Sequence, residues 1–245
     1  MPHADLRVIV PNGLVKIVIP FRNGLKASMA GRDIISMTHE VTVIGIADIP
    51  SVVVDLEEKA SGAIGIEFNP WGAYRFLNPG LHELTNQVYS LTDVMPAVSR
   101  LQEQLSNIET VTQKVAFVQQ FLRHRFTLGT PDEIFEYCAR KIRETQGRIS
   151  ISVLERQTGY SARWLNMKFQ DRIGISPKTL CSIVRFQHVY RHWAMSNFAS
   201  YDRADVYSFY HDQAHFIKDF KRFTGYSPVR FQVLDNDFGR LFYRG

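Results

Sequence analysis

The spacing of apolar positions divides the chain into two halves with different periods. Residues 14–19 (LVKIVI), 40–46 (EVTVIGI), 51–56 and 63–68 are short β-branched runs of strand length. Pro11-Asn12-Gly13, Asn23-Gly24, Ser61-Gly62 and Asn69-Pro70 supply the turns between and around them. The pattern changes near Pro96: residues 96–107 and 110–126 take helical spacing, with Val111, Val115, Val118 and Leu122 as one apolar stripe expected to pack on the sheet. Leu128-Gly129-Thr130-Pro131 ends that helix and restarts the chain, so a domain boundary is expected there, giving domains 1–130 and 131–245.

Beyond the boundary the reading is helical throughout. Residues 132–145 open with acidic residues in the first turn, as the helix dipole favours, and end near Gly147. Leu180, Ile183, Phe186, Tyr190 and Trp193 recur every three or four residues, which predicts one long helix after Pro177.

This half also repeats itself. Leu165, Phe169, Gly174, Ser176 and Pro177 match Phe216, Phe220, Gly225, Ser227 and Pro228 at a constant offset of 51 residues. Each copy is an amphipathic helix, a glycine able to take a left-handed cap, and a Ser-Pro that starts the next helix. Ser161 and Asp212 are the N-caps, and a shorter helix precedes each, at 152–157 and 203–208. Helix, tight turn and helix, twice over, are two helix-turn-helix units. The expected fold class is α+β in two domains: an N-terminal, mostly β domain with closing helices, suited to sensing or oligomerisation, and a C-terminal, all-α domain of two such units joined by a long helix.

The outward faces carry the chemistry. With Leu165, Phe169 and Ile173 inward, Arg163, Asn166, Met167 and Gln170 turn outward; with Phe216, Phe220 and Phe223 inward, Gln213, Ala214, His215 and Lys218 do, and Arg222 follows one turn on. Arg, Asn, Gln and Lys are the side chains that read base edges in a major groove. Charge points the same way. The formal charge of +5 is unevenly shared, with 11 Lys+Arg against 12 Asp+Glu in residues 1–130 and 18 against 12 in residues 131–245.

Composition closes off other classes. In 245 residues, 45% of them hydrophobic, there is material for a packed core, and disorder is excluded as the main state. Cys138 and Cys181 are too few for a disulfide framework or a four-cysteine zinc site. The longest nearly unbroken apolar run, residues 41–47, falls far below the roughly 18 residues of a membrane span. Met1-Pro2-His3-Ala4-Asp5 shows no basic stretch leading into an apolar one, so a cytoplasmic location is expected.

Three sets of residues carry a resemblance: Thr158-Gly159-Tyr160-Ser161, Gly174-Ile175-Ser176-Pro177, and the run from Asp212-Gln213-Ala214-His215-Phe216 to Thr224-Gly225-Tyr226-Ser227-Pro228. Residues 132–235 resemble the double helix-turn-helix DNA-binding domain of the AraC family of bacterial transcription regulators. The segment Gly65-x-Glu67-Phe68-x-Pro70-x-Gly72-Ala73 is similar to the N-terminal domain of a subgroup in which that domain has no assigned function. The resemblance implies base contacts from Arg163, Asn166, Met167, Gln213, Ala214, His215 and Lys218. It implies phosphate contacts from Ser161, Lys178, Arg185, Arg222, Ser227 and Arg230. The expected activity is sequence-specific transcription regulation, with the long helix holding the recognition helices about 34 Å apart in successive major grooves. A non-specific architectural DNA-binding protein is the alternative. Double-stranded DNA is the expected partner; RNA polymerase and a small-molecule effector are further candidates, and the working unit is a monomer or a homodimer. Two departures stand out: Phe209 occupies the place of the turn glycine of the second unit, so either it takes a positive φ or the turn is reshaped, and Glu155 replaces a small apolar residue.

An enzyme reading competes. His211 and His215, like His188 and His192, stand four residues apart, the spacing with which two imidazoles share a zinc ion. The residue after His211 is Asp, not the general-base Glu of zinc proteases, and His211 precedes the N-cap. Helix-turn-helix geometry accounts for the whole segment, and no catalysis, cofactor or metal is expected. In the N-terminal half, Trp71, Tyr74 and Arg75, beside Phe76, either line a pocket for an anionic or sugar effector or pack in the core.

Overall fold

The structure is a computed structural model that describes residues 7–56, 61–77, 81–126, 130–195, 206 and 208–232. Among these residues eight strands form two four-stranded antiparallel sheets in the N-terminal half. One sheet holds β1 (Arg7–Ile9), β6 (Ser51–Asp55), β3 (Leu25–Met29) and β4 (Arg32–Ser36) in that order; the other holds β7 (Gly62–Phe68), β2 (Val15–Arg22), β5 (Thr42–Ile44) and β8 (Val88–Ser90). The four runs predicted from β-branching are β2, β5, β6 and β7. The β3–β4 hairpin escaped the pattern because its turn is Ala30-Gly31, in which Ala30 takes a φ of 52° and Gly31 a φ of 75°. Strand β2 is buried on both faces and so reads as an almost continuous apolar run: Val15, Ile17 and Ile19 belong to the main core, whereas Lys16 and Val18 look into the space between the sheets.

Strand β7 runs directly into α1 (Pro70–Leu77) through an Asn-Pro start. Asn69 Oδ1 accepts the amide of Gly72 at 2.7 Å, and Pro70 occupies the first turn, where no amide donor is needed. A short 3₁₀ turn (Leu81–Leu84), α2 (Leu91–Val94), α3 (Val98–Ser106) and α4 (Val111–Phe126) complete this half. The inward stripe of α4 differs from the expected one. Val111 is 42% exposed, while Lys114 is buried: its Nζ donates to the Leu105 carbonyl at the end of α3 and lies 3.1 Å from His39 Nε2. A lysine reaches this position because its methylenes pack inside while its ammonium satisfies a helix C-terminus. Burial lowers its pKa.

The C-terminal half is helical: α5 (Glu133–Glu144), α6 (Ile151–Thr158), α7 (Ala162–Ile173), α8 (Pro177–Met195), α9 (Gln213–Thr224) and α10 (Pro228–Gln232). Val206, Ser208 and Phe209 are also helical; residues 203–205 and 207 of the short helix predicted there lie outside the described residues. The hydrophobic core does not stop at residue 130. Phe68 stacks on Phe76 (5.0 Å), Tyr74 meets Phe135 (6.2 Å), Phe135 meets Phe169 (5.0 Å), and Phe186 on α8 meets Phe220 on α9 (5.7 Å). Cys138 and Cys181 are buried, unpaired thiols in this continuous core, and burial pushes each pKa up to about 11.

Candidate nucleic-acid interface

In the first unit each helix end is closed by a residue local in sequence. Ser150 caps α6, Gly159 ends it in the left-handed conformation (φ 75°), and Ser161 Oγ accepts the Trp164 amide to start α7. Such caps contribute about 1 kcal/mol each. Glu155 has a role that its departure from the family pattern hides: its Oε1 accepts the Ala162 amide at 2.5 Å, so α6 reaches across the turn to cap α7. Leu165, Phe169 and Ile173 are buried, and Arg163, Asn166, Gln170 and Met167, the last 60% exposed, form the outer face of α7. Tyr160 stacks on Trp164 (3.9 Å), with Lys168 Nζ 5.3 Å from the indole; this aromatic-cationic shoulder beside the outer face of α7 was not singled out in the sequence. The signal available was the i, i+4 spacing of two aromatics across an N-cap.

The second unit repeats the plan with different fastenings. Asp212 Oδ1 accepts the His215 amide at 2.7 Å, Gly225 closes α9 with a φ of 80°, and Phe216, Phe220 and Phe223 are buried. Gln213, Ala214 and Lys218 are exposed, as are Lys221 and Arg222. His215 is half-buried, edge-on to Tyr210 at 5.2 Å, and its Nε2 lies 3.8 Å from Asp219 Oδ2. The turn is reshaped: Phe209 has no positive φ and packs on His188 (4.2 Å), with the Arg148 guanidinium 5.1 Å from its ring. The residue at the offset of Gly159 is the buried Tyr210, which lies beneath Arg185 (5.0 Å).

The sequence of residues 154–232 matches the helix-turn-helix domain family. It is an AraC-type domain. No curated protein matches the chain in sequence. Among solved structures the fold is similar to ToxT of Vibrio cholerae: an apo ToxT variant superposes with a TM-score of 0.52 at 11% identity, covering 94% of both chains. ToxT bound to (E)-4-(8-methylnaphthalen-1-yl)but-3-enoic acid gives 0.50 at 10% identity, covering 94% of this chain and 96% of that one. The two-domain fold, β-rich and then helical, is thus similar to that of ToxT, and the AraC-type domain at residues 154–232 supports a DNA-binding transcription regulator.

The AraC-type domain treats its six predicted phosphate-contacting residues unequally. Lys178 and Arg230 are exposed. Ser161 and Ser227 occupy helix starts, where Ser227 Oγ accepts the Arg230 amide at 3.4 Å. Arg185 is drawn inward between Tyr210 and Asp219, 3.8 Å from the carboxylate. Burial pushes the Asp219 pKa up, against His215, Arg185 and Arg222. Arg222 is ion-paired with Asp48 of the β half.

Of the two expectations for the α1 trio, pocket lining or packing, the two rings pack at the joint, while Arg75 also borders an open cleft together with Glu136 and Arg140. Trp71, Tyr74 and Arg75 lie on α1 and are used where the halves meet, away from the space between the sheets. Trp71 lies under Arg140 and Arg143, Tyr74 under Arg172, and Arg75 donates twice to the buried Glu136 at 2.8 and 2.9 Å. Aromatic rings next to an arginine mark a packed joint as readily as a ligand cage. A separate cavity of about 250 Å³ lies between the two sheets, lined by Ile9, Val18, Leu25, Ile34, Val53 and Ala63 among others, with Lys16 at its edge. Lys16 Nζ is 3.8 Å from Glu67 Oε1, to which Asn12 also donates at 2.9 Å. Burial lowers the Lys16 pKa, partly offset by Glu67. Among the described residues no three His, Cys, Asp or Glu side chains converge as a metal site, and no helix is long and apolar enough to cross a membrane.

Proposed function

We propose that this protein regulates transcription by laying α7 and α9 in successive major grooves of one DNA site, under control of an anionic amphiphile held between the N-terminal sheets. The observation carrying the first part is the pair of capped helices with polar outer faces, Arg163, Asn166 and Met167 on one and Gln213, Ala214, His215 and Lys218 on the other, joined by α8. Exposed lysines and arginines provide the sequence-independent attraction, and the outward polar groups provide the preference among bases. The second part is supported by an apolar cavity with one buried ammonium, the chemistry that receives a carboxylate on a hydrocarbon tail, and by the aromatic butenoic acid bound to ToxT.

Selection from a random DNA pool with the full-length protein, at two salt concentrations and with or without a long-chain fatty acid, tests both parts. A bipartite motif with halves about one helical turn apart supports two-groove reading. Salt-sensitive binding with no enriched motif would leave the architectural alternative. Selection that is indifferent to the fatty acid, with no binding of it by the protein, removes the effector part. Arg163→Ala should cost about 1–3 kcal/mol at the best site and relax the preference there. Arg230→Ala should weaken all sequences alike and flatten the salt slope.

A further inference from the structure

A second cleft, of about 320 Å³, opens where the Asn12-Gly13 turn of the β half meets α5 and α8, and none of its lining residues belongs to the cavity between the sheets. We infer that this cleft binds a small phosphate-type oxyanion that bridges the two halves of the protein. Four of its ten lining side chains are Arg143, Arg191, His188 and His192, and none is acidic, which sets the sign of the ligand.

Arg143 and Arg191 are near enough to oppose each other: burial first, then the Arg191 charge, lowers the Arg143 pKa, with Glu67 acting in the other direction. Among the described residues neither guanidinium has a carboxylate within salt-bridge distance, in contrast to the neighbouring Arg75 and Arg140, which share Glu136. Two converging guanidiniums are the usual means of gripping a phosphate through paired N–H donors. Gln187, 6% exposed, selects the ligand further. Its Nε2 donates to the Pro11 carbonyl at 2.6 Å, which fixes the amide, and its buried Oε1 is left without a partner. Such an acceptor calls for a donor hydrogen. His192 offers another acceptor, because its Nδ1 lies 2.9 Å from the His188 carbonyl and must carry the hydrogen, leaving Nε2 for the ligand when the ring is neutral. Cations together with acceptors suit a hydrogen phosphate or a hydroxyl-bearing phosphate ester better than a simple carboxylate, which has no hydrogen to give. A ligand that needs both the Asn12 turn and α8 stabilises the arrangement in which they touch.

The test is calorimetric titration of the full-length protein with inorganic pyrophosphate at fixed ionic strength. Saturable one-to-one binding is expected, weakened about tenfold by Arg143→Ala or Arg191→Ala. Arg140→Ala, which removes the same charge from α5 outside the cleft, should leave it unchanged. Three results overturn the inference: absence of saturable binding, equal weakening by Arg140→Ala, or one-for-one displacement of pyrophosphate by short duplex DNA. The last would make these arginines part of the DNA face.

Discussion

The two helix-turn-helix units share a sequence scheme and differ in how they are held to the β half. The first is bolted. Glu136 on α5 clamps Arg75 of α1, Arg172 of α7, itself held by Asp132 at the start of α5, lies over the Tyr74 ring of α1, and Gly174 at the end of α7 presses on the 3₁₀ turn and the residue after it. The second is fastened mainly from within its own half, where Arg185 of α8 meets Tyr210 and Asp219 of the second unit, and it reaches the β half through Arg222 and Asp48 with Pro50 close by. A repeated fold motif fixes the local helices and leaves the tertiary connections of each copy free to differ. In this chain the N-terminal half meets α7 through several packed contacts and α9 through the Arg222–Asp48 pair and Pro50.

The largest effect expected from breaking that contrast is at the two capping glycines. A Cβ on Gly174 would sit 1.8 Å from Thr85 Oγ1 and 2.8 Å from His82 Cα, whereas on Gly225 its nearest neighbour is Pro50 Cγ at 3.8 Å. Both substitutions bear the left-handed backbone strain of about 1–2 kcal/mol. Gly174→Ala adds overpacking of about 1–3 kcal/mol. Denaturant unfolding of the two variants should therefore separate them clearly, and equal losses would show that the first unit is no more tightly seated than the second.

Next is Glu136→Gln, which weakens a buried, charge-assisted double hydrogen bond and should cost about 2 kcal/mol by the same measurement. Asp132→Asn should act through pH. Burial pushes the Asp132 pKa up, but hydrogen bonds from Lys168, Arg172 and the Phe135 amide outweigh it and hold the pKa below its ordinary value. A carboxylate with a depressed folded pKa adds stability above its unfolded pKa of about 4 and loses it as the pH falls further. The variant should be less stable at neutral pH and show a flatter acid limb; an unchanged limb would deny Asp132 that role. The smallest effect belongs to Asp48→Asn, an exposed pair expected to contribute at most about 1 kcal/mol. A larger loss there would mean that the second unit is held to the β half more firmly than an exposed pair of this kind indicates.

What was legible in the sequence was local. The constant offset, the Gly and Ser-Pro punctuation and the N-caps at Ser161 and Asp212 need only neighbouring residues to act, and the structure places each as expected. The strands with β-branched cores were legible for the same reason. The β3–β4 hairpin was not, because its turn depends on an alanine in the left-handed region, and β4 reads polar along an exposed edge. The fate of charged and aromatic side chains was the least legible. Lys114, Arg185 and Arg75 look like surface residues until their partners are known: a carbonyl at the end of α3, a tyrosine and aspartate on the second unit, a glutamate 61 residues away. Trp71 and Tyr74 were noticed for their ring chemistry, but which surface they face is settled by α5, which only the fold brings alongside.

The two buried thiols make the molecule its own stopwatch. With pKa values pushed up to about 11, Cys138 and Cys181 carry almost no thiolate at neutral pH and no solvent-facing sulfur, so an alkylating reagent reaches them only when the helices part. Their labelling rates, read separately by mass spectrometry, time the openings of α5 and of α8. DNA or an effector that tightens one helix and not the other would appear as the slowing of one label alone.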